Sequence, residues 1–314
     1  MHFQDVFLFL NEARLAGKAS VLVTVCAVEG SSMRNPGTIM GVSEDGSFAG
    51  SLSGGCIENA VVAEALDALK SGVSRMVRFG AGSPYLDIKL PCGGGLDLHF
   101  QPLGSSDLAA ACLGTIRGRT PFSIALTADG AVHIPEWRNA AFDPASGEGT
   151  FGHWPAPRLQ IVGHGAGVEA LSVMGRTMGC WTSVLTPDET IVASLRSQQM
   201  GADLIERTTQ TELLESDPWT AFVFLFHDHD WEIDLIAAAL KLPHFYIGAM
   251  GGRKAHAMRS EALTKNGISE KQLLTIHSPI GVFHSSRDPK TLALSTLAEV
   301  IRAYHGMKFE AECV

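Results

Sequence analysis

The chain has 314 residues, of which 46% are hydrophobic and 18% charged, and its formal net charge is −9. Such a composition supplies a large core, spread over two domains rather than one, and leaves no room for extended disorder. No Lys/Arg cluster makes a basic face, which excludes a nucleic-acid binder, and an anionic ligand would have to be held by local geometry rather than by net field.

The opening MHFQDVFLFLNEARLAG is too short and too polar for a secretory signal or a membrane span. Val6, Phe9, Leu10 and Ala13 instead share one helical face. VLVTVCAV (21–28) predicts a buried strand, and TIMGVSEDGSFAGSLS a hairpin turning at Asp45-Gly46. IENAVVAEALDALKSG predicts a helix, with Ile57, Val61, Ala65 and Leu69 on one face and Gly72 as its stop. Three short strands follow near 74–79, 86–90 and 96–100, then a second hairpin around Asp129-Gly130. Residues 1–156 thus read as an α+β domain with a mainly antiparallel sheet. At WPAPRLQIVG, Pro155 and Pro157 read as a short stiff linker.

From 157 to 314 strands and helices alternate. Strand LQIVG leads to helix VEALSVMGRTMG, strand TSVLT, a helix over SLRSQQMG and strand AFVFLF. Helix EIDLIAAAL, strand FYIGAM, helix RKAHAMRSEAL and a last helix TLALSTLAEVIRAYH complete the series. The fold class is therefore α/β: an N-terminal α+β domain followed by a Rossmann-like, doubly wound parallel-sheet domain.

Six cysteines without close paired spacings make neither a disulfide framework nor a zinc ribbon, and imply reduced thiols in the cytoplasm. Two of them stand beside glycine runs. In SLSGGCIEN, Cys56 lies at the predicted helix start, where the helix dipole favours thiolate. Ser51, Ser53, Gly54 and Gly55 there can form a backbone nest for an anion, while Glu58 suits the dipole but opposes a neighbouring thiolate. In LPCGGG, Cys92 precedes a second flexible nest at Gly93, Gly94 and Gly95. Soft thiolates suit soft metals or carry sulfur as persulfide, and glycine nests suit phosphate. The plain alternative is a pair of buried cysteines beside tight turns.

Further candidates lie at turns and strand ends. Arg34, in GSSMRNPGTIMG, can aim a guanidinium at a phosphate from its loop. Gly163, Gly165 and Gly167 in VGHGAG form a dinucleotide-type turn between strand and helix. The third glycine of that pattern is replaced by Val168, and Thr186 stands where a ribose-gripping acid is expected, with Asp188 beyond Pro187. His227 and His229 follow strand AFVFLF and can bind metal or exchange protons, and Asp230 can cap the next helix. Arg253 and Lys254 open a helix after a third glycine turn and oppose its dipole, which an intervening anion would relieve.

Together GSSMRNPGTIM, GSLSGGCIENAVV, LPCGGGLDLHF, VGHGAG, HDHDWEIDLIAAAL, YIGAMGGRKA and SPIG resemble the XdhC/CoxI family of molybdenum-hydroxylase accessory proteins, over roughly residues 20 to 305. The resemblance implies binding of molybdenum cofactor (molybdopterin), help in its sulfuration, and hand-over to an apo molybdenum hydroxylase of the xanthine dehydrogenase type. It implies Cys56 and Cys92 as the metal-binding and sulfur-carrying residues. Arg34, Ser53, Gly54, Gly55, Gly93, Gly94, Gly163, Gly165, Gly167, His227, Asp230 and Arg253 are the wider cofactor-binding set. A nucleotide is a further candidate ligand, a cysteine desulfurase a further candidate partner, and a homodimer the expected assembly. Met33, Thr186, Gly252 and the run VFHSSRDP depart from the family pattern. Two rival readings stay open: an NAD(P)-dependent oxidoreductase using the Gly163 turn, and a zinc protein using Cys56, Cys92 and His227.

Overall fold

The computed structural model describes residues 3–30, 34–83, 93–283 and 288–312. The chain divides into two compact units, Met1–Pro155 and Ala156–Val314.

The first unit runs α1 (Phe3–Leu15), β1 (Ser20–Glu29), β2 (Ile39–Ser43), β3 (Phe48–Ala49), α2 (Glu58–Ser71), β4 (Arg75–Gly80), β5 (Gly95–Pro102), α3 (Leu108–Arg117), β6 (Phe122–Thr127), β7 (Gly130–Ile134), β8 (Ala141–Asp143) and β9 (Glu148–His153). It holds two antiparallel sheets, of order β3-β2-β1-β5-β4 and β7-β6-β9-β8. Strand β1 is buried on both faces over most of its length, which explains its almost continuous apolar run, interrupted at Thr24. Val21, Val23 and Val25 pack with Val61, Ala65 and Ala68 of α2 and with Leu96, Leu98 and Phe100. Leu22, on the other face, joins Val6 and Leu10 of α1, Leu113 of α3 and Phe122. On α1 it is Phe7, not Phe9, that is fully buried with Val6, Leu10 and Ala13. Both hairpins form where Asp-Gly predicts them, and α2 stops at Gly72, whose N–H closes onto the carbonyls of Ala68 and Leu69. The strand expected at 86–90 lies outside the described residues, and α3 is an element that the sequence reading did not anticipate.

The second unit runs β10 (Arg158–Gly163), α4 (Ala166–Thr177), β11 (Trp181–Thr186), α5 (Glu189–Ser197), β12 (Gly201–Leu204), β13 (Thr220–Leu225), α6 (Ile233–Ala239), β14 (Tyr246–Ala249), α7 (Arg253–Lys265), α8 (Glu270–Leu273), β15 (Ile276–His277) and α9 (Pro289–Glu312). All six strands are parallel, in the order β12-β11-β10-β13-β14-β15. The chain winds one way from β10 to β12 and the other from β13 to β15, so the topological switch point falls between β10 and β13. One sheet face, through Leu159, Ile161 and Val223, is covered by Val168 and Leu171 of α4, Leu195 of α5 and Leu297 of α9. The other, through Val162, Phe222 and Ile247, is covered by Leu235 and Ile236 of α6 and Leu263 of α7. Helix α5 begins five residues before the expected SLRSQQMG segment because Asp188 caps it, accepting from the N–H groups of Thr190 and Ile191.

Candidate functional site: the cysteine loop and the strand ends

The loop between β3 and α2 is organised around Glu58. Its carboxylate Oε1 accepts from the Ser51 hydroxyl (2.9 Å) and from the N–H groups of Leu52 (3.1 Å) and Ser53 (2.9 Å). Oε2 accepts from the Ser53 hydroxyl (2.7 Å) and from the N–H groups of Gly55 (2.9 Å) and Ile57 (3.2 Å). The remaining amides close on the same serines: Gly54 N–H donates to Ser51 Oγ, and Cys56 and Ile57 N–H donate to Ser53 Oγ, each at 3.0 Å. Every backbone donor from 52 to 57 is thereby spent. The nest expected at Ser53, Gly54 and Gly55 exists, but it holds the chain's own carboxylate. Burial pushes the Glu58 carboxyl up, yet the hydroxyl and amide donors of Ser53 and the hydroxyl of Ser51 outweigh it and hold it at about 2.

Leu52 and Ile57 anchor this loop in the core beside Leu96 and Phe79, while Gly54, Gly55 and Cys56 stay exposed. Helix α2 starts at Glu58, so Cys56 precedes its first turn by two residues instead of opening it. Arg34 braces the loop from outside: its Nε donates to the Ser51 carbonyl (3.0 Å) and its Nη2 to Ser51 Oγ (3.5 Å). Glu29, at the end of β1, pairs with Gly95 at the start of β5, and a Cβ at Gly30 would lie 3.4 Å from the Cα of Gly94. The Arg34 segment thus binds the SLSGGC loop, and the Gly30 turn that leads into it abuts Gly93–Gly95. Gly93 is exposed and Gly94 buried. Cys92 lies outside the described residues. The other described cysteines, Cys26, Cys112 and Cys180, are buried, and burial pushes each thiol up, to about 12, 12 and 11.

In the second unit the candidates collect at the carboxyl ends of the strands. Gly163 ends β10 so close to β13 that a Cβ there would meet the Leu225 carbonyl oxygen at 2.4 Å. Gly165, at φ +87° and ψ 177°, turns the chain into α4 and gives that helix no side-chain cap. A Cβ at Gly167 would make only ordinary contacts, 3.8 Å from Leu292 and 3.9 Å from Leu225. The His164 ring lies 5.6 Å from Phe226 and 5.7 Å from His227, centroid to centroid, which brings the exposed His227 beside the glycine turn. Arg253 is exposed at the start of α7, another helix without a side-chain cap.

Asp230 does not cap α6. It belongs to a one-turn 3-10 segment, His229–Trp231, and its N–H donates to Asp228 Oδ1 (3.1 Å). The helix begins after Glu232, whose carboxylate is directed elsewhere: Oε1 pairs with Nε of the fully buried Arg259 at 2.6 Å. Arg259 also donates to Ser278 Oγ (3.1 Å) and to the Met250 carbonyl (2.6 Å). One guanidinium therefore fastens HDHDWE, YIGAM and SPIG together. Sequence reasoning missed it, because nothing in RKAHAMRSEAL marks this arginine as the buried one. Where a ribose-gripping acid is expected, Thr186 Oγ1 accepts the Asp188 N–H (3.2 Å), and Asp188 Oδ1 accepts from the Thr190 N–H (2.9 Å) and hydroxyl (2.6 Å) at the start of α5.

A second buried carboxylate, Glu299 of α9, accepts from the Tyr246 hydroxyl (2.8 Å) and the Gly281 N–H (2.6 Å) and pairs with His277 Nδ1 (3.2 Å). Burial pushes it up, but these partners, His277 first, hold it at about 2. Among the described residues no group of three or more His, Cys, Asp or Glu side chains could hold a metal ion, and no helix is long and apolar enough to cross a membrane. A soft metal that carries its own ligands would need only a thiol from this loop. An exposed thiol flanked by exposed glycines, with open space where a Cβ at Gly54 or Gly55 would stand, fits such a guest.

Comparison with known proteins gives the following. A family model described as the XdhC Rossmann domain matches residues 159–300, and one described as the XdhC and CoxI family matches residues 13–80. The molybdenum cofactor insertion chaperone PaoD of Escherichia coli (strain K12) is 33% identical over 299 residues, spanning 95% of this chain and 87% of PaoD. The uncharacterised protein YqeB of the same organism is 22% identical over 288 residues, 87% of this chain and 41% of YqeB. A crystal structure described as a xanthine dehydrogenase from Bacillus halodurans matches with a TM-score of 0.77 at 20% identity, covering 98% of this chain and 96% of that one, a likeness of fold.

Proposed function

Because the chain belongs to the XdhC/CoxI family, we propose that it binds molybdenum cofactor and hands it to an apo molybdenum hydroxylase, as a maturation factor rather than as the hydroxylase. The observation that carries this reading is the exposed thiol of Cys56, held on a loop whose backbone donors are all satisfied. The relative PaoD, named a molybdenum cofactor insertion chaperone, supports it. The cofactor would supply a soft metal centre carried on a dithiolene, together with a pterin and a phosphate. Cys56, with Cys92 as its proposed companion, would ligate or shield the metal end. Arg34 keeps the loop in place through Ser51. Gly93 and Gly94 border the same region, and Ser53, Gly54 and Gly55 shape the loop that the pterin would approach.

In the second unit the Gly163–Gly167 turn and Arg253 offer uncapped helix starts to a phosphate. His227 and Asp230, both exposed at the strand ends, would contribute polar contacts or exchange protons. Delivery of sulfur by a cysteine desulfurase through Cys56, a xanthine dehydrogenase-type client, a homodimeric state and a cytoplasmic location complete the proposal. The rival reading as an NAD(P)-dependent oxidoreductase is weakened by Thr186, which stands where a ribose-gripping acid is expected and accepts the Asp188 N–H instead.

Purification under anaerobic conditions, followed by molybdenum and pterin analysis, tests the proposal. Near-stoichiometric cofactor in the wild type, lost in Cys56→Ala, is the expected result. A wild-type protein that contains neither and takes up no free cofactor would overturn it.

A further inference from the structure

Six consecutive N–H groups, from Leu52 to Ile57, end on Glu58 or on a serine hydroxyl that itself donates to Glu58. An anion supplied by the chain holds the place that a phosphate takes in a glycine-rich nest. The Cys56 N–H belongs to this inward-facing set, yet the residue stays exposed. We infer that Glu58 is a positioning and specificity-determining residue: by filling the nest it makes the 51–57 loop blind to phosphate and leaves the Cys56 thiol as its outward functional group. This loop then takes the thiophilic part of a guest, a soft metal or sulfur-bearing centre, and the guest's phosphate is held elsewhere. The inference rests on Cys56 being the cofactor contact proposed above, and it assigns a task to a residue that lies on α2 and touches no ligand itself.

The test follows iodoacetamide alkylation of Cys56 in the intact chain, by mass spectrometry of the Cys56 peptide. Wild type, Glu58→Ala and Glu58→Gln are compared with and without sodium phosphate or sodium acetate at constant ionic strength. Alkylation needs an accessible sulfur, and the amides gathered on Glu58 and its two serines are what hold the loop around Cys56. Phosphate and acetate are expected to leave the wild-type rate unchanged. Glu58→Ala, which loosens that loop, is expected to react severalfold faster, and both anions should return it toward the wild-type rate, because the vacated nest now accepts them. Glu58→Gln keeps the size of the side chain but sets an amide among amide donors, so it shares the faster rate and is rescued less.

A folded Glu58→Ala or Glu58→Gln protein alkylating at the wild-type rate overturns the inference, and so does phosphate protection of Cys56 in the wild type. Loss of folding in both variants also counts against it, since a residue that only positions a loop does not carry the domain. Failure of the wild type to bind cofactor would remove the proposed function but leave these rates standing, so the two can fail separately.

Discussion

The cysteine loop and the Gly163 turn are both glycine-rich connections leading into a helix, and they solve the same electrostatic problem in opposite ways. At Ser51–Ile57 the free amides before α2 are gathered onto Glu58. At Gly163–Gly167 the helix opens from Gly165 without any side-chain cap, as α7 does from Gly252. A run of glycines therefore does not by itself make an anion site. What matters is whether the following turn carries a carboxylate long enough to fold back, as Glu58 does and as Glu169, in the first turn of α4, does not.

The contrast predicts where substitutions will hurt. The largest effect is expected at Arg259, which anchors the strand-end loops of the second unit. Arg259→Met strands the buried Glu232 carboxylate and should cost about 3–5 kcal/mol in denaturant unfolding. A loss below about 1 kcal/mol would mean that the three loops do not depend on it. Next come the turn glycines. Gly163→Ala forces a methyl against the Leu225 carbonyl and should cost about 3 kcal/mol. Gly165→Ala meets open space but a backbone conformation reserved for glycine, at about 1–3 kcal/mol. Gly167→Ala has neither obstacle and should be neutral or slightly stabilising. If the order were reversed, the turn would be shaped by a ligand and not by its own packing.

Acid titration sharpens the comparison further. Glu58 and Glu299 sit at about 2 in the folded chain against an ordinary 4.5. Their contribution is complete above about pH 4.5 and drains away as the pH falls toward 2. Each should account for on the order of 2 kcal/mol of that loss, so Glu58→Gln and Glu299→Gln should each flatten the stability–pH profile below pH 4.5. The smallest effect on stability is expected at Cys56. Its exposed side chain packs against no core, and Cys56→Ala should leave the thermal midpoint unchanged while cofactor capture is lost.

Much of the fold was legible because hydrophobic periodicity follows directly from which faces are covered. The largely apolar strands β1, β10 and β13 are buried on both sides, and the alternation of strands and helices after Pro157 gives the parallel sheet. Most of what escaped has a common cause, which is that side-chain destinations are not periodic. Asp188 read as a possible ribose partner is a helix cap, and the start of α5 was misplaced with it. Asp230 read as a cap is not one, since Glu232 takes the last place before α6 and then turns to Arg259. Helix α3, LAAACLGTIR, does place Leu108, Ala109, Cys112, Leu113 and Ile116 on one buried face, a helical spacing that the sequence reading passed over. At the site, Ser51, Ser53 and the glycines announced a nest. The glutamate that opens the helix just after those serines and glycines was an available signal that the nest was already filled, because a carboxylate there suits the helix start and lies within reach of the free amides.

The single guanidinium of Arg259 also makes three stretches of chain mutationally interdependent. Met250, Ser278 and Glu232 are far apart in sequence, yet each contributes an acceptor to the same buried fork. Substitutions there should combine non-additively, with the second change costing less once the first has broken the fork. Homologues that drift at one of these positions are then expected to drift at the others in step, so covariation between them would report shared attachment to one arginine and not direct touch.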